Sequence, residues 1–217
     1  MKRVFLGIDV QEKKGCCFAV LDNDGVLISS GWFLSPKEEM VKLVSDLKKD
    51  NHVSTGIDAP RQPLLSPREW YWDRRGSKWR RRIAQRGYGR HCEIVISAHR
   101  LANPQWTPII GEVPSWMAIG FDLFNALKGL IPSVYEVFPS ASYSLLCGVT
   151  DVRISIDFSS CLNGPKDMLD ALVAAATVRE FIGGRGEEVG GGDGLGTIIL
   201  PQPLPSPVIQ EVLLWPG

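Results

Sequence analysis

The sequence lacks the marks of several protein classes. Its five cysteines are an odd number and none stands in a C-x-x-C pair, so the sequence predicts neither a disulfide framework nor a zinc cluster. No run of apolar residues approaches the roughly 18 that a membrane span needs, and the first residues do not have the pattern of a signal peptide. We therefore expect a cytoplasmic protein with no membrane partner.

The chain also lacks net charge and has few histidines. The 24 Lys and Arg residues balance the 24 Asp and Glu residues, but residues 61–100 hold 11 of the basic ones and only 3 of the acidic ones. One segment is therefore basic and the remainder acidic. The three histidines, His52, His91 and His99, are predicted to be surface residues, and no Ser/His/Asp arrangement for nucleophilic catalysis is apparent.

The tripeptide Gly-Ile-Asp is present twice, and each copy closes a short apolar run typical of a β-strand. These copies end at Asp9 and Asp58. A carboxylate at the end of a buried strand loses hydration unless a cation or a donor compensates it. The residue two positions back lies on the same strand face and is a glycine, Gly7 or Gly56, which is expected to leave open space. The repeated tripeptide therefore suggests a shared cation.

Apolar periodicity predicts an α/β protein of one domain over residues 1–200, followed by a proline-rich tail over 201–217. Strands are expected at residues 3–10, 16–21, 26–33, 53–58 and 133–138. Helices are expected at 36 to about 47, 115–128, 140–146 and 165–182. This order, βββαβαβα with an insertion at 61–113 after the fourth strand, resembles the ribonuclease H-like fold: a mixed five-stranded sheet with helices on both faces.

Five short motifs make the resemblance closer. They are Gly7-Ile8-Asp9, Gly56-Ile57-Asp58-Ala59-Pro60, Arg90-x-Cys92-Glu93, Tyr135-Glu136-Val137-Phe138-Pro139 and Asp167-x-x-Asp170-Ala171-Leu172. In order and spacing they resemble a domain-of-unknown-function family described as predicted RNase H-fold nucleases. The resemblance covers residues 4 to about 200, and it implies a nuclease activity acting on DNA or RNA.

Acidic residues are expected to converge at one edge of this sheet. Asp9, Asp58 and Glu136 fall at or near the carboxyl ends of parallel strands, where open α/β sheets bind ligands. Asp167 and Asp170 share a face of the last helix. We predict that Asp9, Asp58, Glu136 and Asp170 are catalytic and that these four, assisted by Asp167, bind Mg²⁺ or Mn²⁺, since such ions prefer carboxylate oxygens.

Each acid also has a structural interpretation. Asp9 and Asp58 can end their strands in Asx-turns, and Asp167 lies in the first helical turn, where an acid complements the helix dipole. Glu136 can be a solvated residue at the rim of the sheet. Asp170 is harder to explain structurally because it lies past the first turn among apolar residues.

The insertion combines basic and aromatic residues, which neutralise phosphates and stack on unpaired bases. The predicted nucleic-acid contacts are Arg74, Arg75, Lys78, Trp79, Arg80, Arg81, Arg82, Arg86 and Arg90. In the structural interpretation, a capping box over residues 66–69 starts an amphipathic pair of helices broken at Gly76, whose tryptophans pack on the core. The glycine-rich stretch 183–196 is expected to be a flexible connector.

Three functions compete at this point. The first is a two-metal nuclease, in which Asp9 bridges the ions and the basic insertion holds the strand. The second is a non-catalytic nucleic-acid-binding module with the same fold. The third is a sugar-kinase or actin-like ATPase, which needs two such domains, whereas the length of 217 residues predicts one.

Overall fold

The computed structural model describes residues 1–73, 75–81, 87–146, 151–155, 164–205 and 214–216. The strands are β1 (Lys2–Asp9), β2 (Cys16–Asp22), β3 (Leu27–Phe33), β4 (Asn51–Asp58), β5 (Trp70–Asp73), β6 (Lys78–Arg81), β7 (Val134–Glu136), β8 (Glu187–Gly190) and β9 (Thr197–Leu200). The helices are α1 (Pro36–Leu47), α2 (His91–Ala98), α3 (Ser115–Leu127), α4 (Pro139–Leu146) and α5 (Pro165–Ile182).

The central sheet has five strands in the order β3-β2-β1-β4-β7. The first three form an antiparallel meander, whereas β4 runs parallel to β1 and β7 runs parallel to β4. The chain turns between β2 and β3 because the side chain of Asp22 accepts hydrogen bonds from the backbone N–H groups of Asp24 and Val26 at 2.9 and 2.8 Å. The prediction of an α/β fold with a mixed five-stranded sheet is confirmed.

Helices cover both faces of this sheet, because its strands carry apolar side chains on both sides. In β1, Val4, Leu6 and Ile8 pack with α1 and α3 in one core cluster. Phe5 points the other way and packs with α5 in a second cluster. Side chains alternate along a strand, so Gly7 and Asp9 lie on the α5 face with Phe5.

Helix α5 approaches the sheet closely at the two glycines of the repeated tripeptide. A Cβ atom added at Gly7 would overlap the backbone oxygen of Ala171, and one added at Gly56 would lie 2.7 Å from the Val178 side chain. The alanines of α5 permit this close approach. The expectation of open space beside these glycines is therefore wrong, because the backbone of α5 fills it at Gly7 and the side chains of Val178 and Val137 fill it at Gly56.

The insertion differs from the predicted pair of helices. Strands β5 and β6 form an antiparallel hairpin, with Trp72 opposite Trp79, and residues 66–69 do not begin a helix. Aromatic residues favour strands, and this preference prevails over the capping-box pattern. The hairpin is followed by α2, whose Cys92 and Ile96 are fully buried.

The glycine-rich stretch forms part of a second hairpin, β8 and β9, rather than a flexible connector. Its loop is fixed by Asp193, whose side chain is completely buried and pairs with Arg68 at 2.6 Å. The predicted tail starts against this hairpin, since Leu204 is buried and its N–H donates to Glu187 at 2.6 Å. No helix among the described residues is long and apolar enough to cross a membrane.

Candidate functional site

Asp9 and Asp58 are direct neighbours at the carboxyl ends of β1 and β4. They are register partners in the parallel pair, so their side chains leave the same face of the sheet about 4.8 Å apart. Asp9 is almost completely buried and Asp58 is half-buried. Buried Asp170, on α5, lines the same cavity of about 400 Å³. Three carboxylates therefore meet at one edge of the sheet.

Burial and neighbouring charges raise the pKa of both Asp9 and Asp58. Burial raises the pKa of Asp9 to about 7, with a further contribution from the charge of Asp170 and an opposing one from Gln11, whose Nε2 donates to Asp9 Oδ2 at 3.0 Å. Burial and then the charges of Asp9 and Asp170 raise the pKa of Asp58 well above its usual value. Burial therefore disfavours the charged form of both aspartates, and the neighbouring carboxylates add to this effect.

Asp170 is held by two neighbouring side chains. The hydroxyl of Tyr143, on α4, donates to Oδ1, and Lys166 Nζ donates to Oδ2 from one helical turn earlier. The side chain of Lys166 is 73% exposed, so its ammonium reaches the cavity from the solvent side. The hydrogen bond to Asp170 raises the pKa of Lys166, which keeps this group charged at neutral pH.

Glu136 also lines the cavity but belongs to a different group of charges. Its register partner is Ile57, so it leaves the opposite face of the sheet from Asp58. Arg90 donates to both of its oxygens, with a distance of 2.7 Å from Nη1 to Oε2. Burial raises the pKa of Glu136, and the charge of Arg90 opposes this shift.

Arg90 therefore has a different place from the nucleic-acid contact predicted for it. It is completely buried and joins two glutamates, because its Nη2 also donates to Glu93 Oε1 at 2.9 Å. The backbone N–H of Arg61 donates to Glu136 as well, at 3.2 Å. Since no part of the Arg90 guanidinium faces solvent, this residue is not accessible to a nucleic acid in the structure.

Asp167 lies beside the cavity rather than in its wall. It is at the border of burial, with 9% of its surface exposed, and it pairs with Lys14 at 3.5 Å. Its charge contributes to the raised pKa of Asp9. The structure therefore separates Asp167 from the three carboxylates of the cavity while keeping it within electrostatic reach.

The predicted basic contacts divide into several groups. Arg75 and Lys78 are exposed and form no ion pair with other described residues. Arg80 pairs with Asp73 and Arg81 with Glu69, each at 2.6 Å.

Trp79 packs against Trp72, His91 and Trp215. Arg74, Arg82 and Arg86 lie outside the described residues.

Sequence reasoning missed three residues of the site. Lys166 had a local signal, because it precedes Asp170 by four residues and such pairs face each other on a helix. Gln11 also had one, because it follows Asp9 by only two residues. Tyr143 had none, since its partner Asp170 is 27 residues away and is brought close only by the tertiary structure. The prediction of a surface position for His91 is also wrong: this residue is buried, and its Nδ1 accepts a hydrogen bond from Gly192 N–H at 3.1 Å.

The donor chemistry of the cavity fits a hard divalent cation, but its present geometry is not a metal shell. Asp9, Asp58 and Asp170 offer the carboxylate oxygens that Mg²⁺ and Mn²⁺ prefer, and burial, with the charge of Asp170, raises the pKa of Asp9. Among the residues that the structure describes, no three His, Cys, Asp or Glu side chains are arranged so that they could hold a metal ion.

Comparisons with protein-family models, curated proteins and solved structures find no match to this chain.

Proposed function

We propose that the chain is a metal-dependent nuclease that hydrolyses phosphodiester bonds at the cavity lined by Asp9, Asp58 and Asp170. One observation carries this proposal. Two register-paired aspartates and a third from α5 line a single cavity, and burial together with mutual repulsion raises the pKa of Asp9 to about 7. An enzyme that works on phosphate with a divalent cation requires such a concentration of acidic oxygens.

The topology supports an RNase H-like fold for the proposed enzyme. An antiparallel meander leads through α1 to β4, which lies parallel to β1, and a further parallel strand extends the sheet. This arrangement places Asp9 and Asp58 at one edge and α5 across the same face. The resemblance to predicted RNase H-fold nucleases, drawn from the motifs, agrees with this topology and remains part of the proposal.

In this proposal Asp9, Asp58 and Asp170 would hold Mg²⁺ or Mn²⁺. When bound, such ions lower the pKa of a coordinated water and stabilise the leaving oxygen. Gln11 and Tyr143 orient Asp9 and Asp170 by hydrogen bonding to one oxygen of each. Glu136 is no longer in the proposed ligand set, because Arg90 donates to both of its oxygens. Lys166 places a positive charge at the mouth of the cavity, where it attracts a phosphate.

A second function, a nucleic-acid-binding module without catalysis, is favoured by one specific observation. Lys166 and Arg90 already bring two positive charges to the acids around this cavity. In such a module these side chains replace the cation permanently, and binding does not require a metal ion. The two functions therefore differ in their dependence on Mg²⁺ or Mn²⁺.

The experiment is a cleavage assay on end-labelled single-stranded and duplex DNA and RNA, with Mg²⁺, Mn²⁺ or EDTA. The nuclease requires metal-dependent products whose formation falls by at least roughly 100-fold in Asp9→Asn and Asp170→Asn, because a direct ligand matters at least as much as its supporting residues. The matched control is Asp50→Asn, which changes an exposed aspartate just before β4, at the strand end opposite Asp58. Metal-independent binding without products would instead support the non-catalytic module.

A further inference from the structure

A second cavity, of about 580 Å³, lies next to the acidic one. Four aromatic rings line it, those of Tyr71, Trp72, Tyr88 and Trp106. Asn103 and Pro104 line both cavities, so these two residues form a shared wall. The two cavities therefore adjoin, within reach of a single extended ligand.

The aromatic rings of this cavity pack against other residues on one side and reach solvent on the other. Trp106 lies over Gly89, which has a φ of +91° and lacks the side chain that would strike the indole. Trp72 packs edge-on against Trp79, with ring centroids 5.6 Å apart, and the hydroxyl of Tyr88 donates to Glu112. Trp106 is 42% exposed and Tyr88 is 38% exposed. The cavity is thus an open surface of fixed aromatic rings rather than a void in the core.

Polar and charged groups complete the lining of the aromatic cavity. Asn103 and buried Ser97 add polar side chains to the lining. Exposed Arg75 also lines this cavity and forms no ion pair with another described residue. Aromatic faces, hydrogen-bonding side chains and a nearby cation are the combination that binds an unpaired base with its phosphate.

We propose that the aromatic cavity binds an unpaired nucleobase of the strand whose backbone lies in the acidic cavity, so that the preferred substrate is a single-stranded nucleic acid. The inference rests on the proposed function for the position of that strand. Bases in a duplex are stacked on their neighbours, and their faces become available to protein rings only when the strand is unpaired. A continuous duplex therefore cannot fill this cavity.

The test measures binding by fluorescence anisotropy in EDTA, so that cleavage does not contribute. The probes are a 5′-fluorescein 12-nucleotide DNA strand of mixed sequence, the same strand with abasic sites, and its duplex. We expect the intact single strand to bind about ten-fold more tightly than either of the others, in line with the contribution of one stacked base. Trp106→Ala should remove most of this preference, whereas Trp106→Phe should retain most of it.

The matched control is Trp70→Ala, which removes a tryptophan of β5 that does not line the aromatic cavity. This variant should bind as the parent protein does, and thermal melting of each variant verifies that it is folded. Equal affinity of the parent protein for intact and abasic strands, or an unchanged preference in Trp106→Ala, would overturn the inference.

The two proposals fail in different ways. Metal-dependent cleavage without any effect of Trp106→Ala on binding would reject the base cavity alone. Trp106-dependent binding of single strands without cleavage under any metal condition would reject the nuclease alone. A parent protein that binds none of the probes would reject the base cavity, whereas the nuclease is rejected only if no cleavage occurs with Mg²⁺ or Mn²⁺.

Discussion

Two groups of buried carboxylates border the acidic cavity, and they are compensated differently. Glu93 and Glu136 share Arg90, which is completely buried with them and donates to both. Among the residues that the structure describes, the cation that acts on Asp9, Asp58 and Asp170 is the largely exposed ammonium of Lys166. Burial of acids alone is therefore a poor indication of a metal site. Among the described residues, the informative difference is the position of the cation, which is buried between the two glutamates but largely exposed beside the aspartates.

The largest effect is expected on the compensated side. Arg90→Ala should lower the free energy of unfolding by about 3–5 kcal/mol, because it leaves two buried glutamates without their shared counter-charge. Urea denaturation at pH 7 measures this change. The double variant Arg90→Ala with Glu136→Gln should recover part of the loss. A loss below about 1 kcal/mol, the range of exposed pairs, would mean that the two sides do not differ as described.

On the aspartate side, removing a charged side chain should raise the free energy of unfolding rather than lower it. The pKa of Asp9 is raised from 3.8 to about 7 by burial and then by the charge of Asp170. The folded state therefore binds a proton that the unfolded chain releases between these values, so stability falls as pH rises through this window. At pH 8 without divalent ions, Asp9→Asn should be more stable than the parent protein by about 2–4 kcal/mol.

Below about pH 4 this difference should vanish, since Asp9 is then protonated in both states. Urea denaturation at pH 4 and pH 8 provides the measurement, and Asp50→Asn serves as the control with no change of this kind. A variant less stable than the parent protein at pH 8 would show that Asp9 is compensated after all.

The smallest effect is expected for the cation of the aspartate side. Lys166→Met should reduce the free energy of unfolding by less than about 1 kcal/mol, because the side chain is 73% exposed and its interaction with Asp170 is screened by solvent. Urea denaturation of this variant and of Arg90→Ala under the same conditions compares the contributions of the two cations to the free energy of unfolding. A cost approaching that of Arg90→Ala would make Lys166 a structural counter-ion and would favour the non-catalytic module.

The central sheet and the aspartate cavity were accessible from the sequence for a definite reason. The repeated Gly-Ile-Asp marks the ends of two strands, and a helix between them implies a parallel pair, so Asp9 and Asp58 had to become neighbours. The spacing of α5 then brought Asp170 to the same edge. These are consequences of local periodicity and of connection rules, both of which are present in a single sequence.

The compensation of charge was not accessible in the same way. Arg90 precedes Glu136 by 46 residues, so this pair had no local signal, although Glu93 follows Arg90 by three residues. The hairpin itself carried a signal, since Trp70, Tyr71 and Trp72 are strand-forming residues, but the capping-box pattern just before them indicated a helix. Tertiary packing decided both cases.

The contact between Gly7 and α5 has a consequence for how this site can change. Asp9 follows Gly7 by two residues and Asp170 immediately precedes Ala171, whose backbone oxygen occupies the place of the missing side chain. The distance between β1 and α5 and the distance between Asp9 and Asp170 therefore change together, and both depend on the absence of a Cβ atom at Gly7. Adding that atom would spread the two aspartates apart without altering any group that performs chemistry. Gly7 thus sets the spacing of the two aspartates because it has no side chain, and any larger residue at this position would change that spacing.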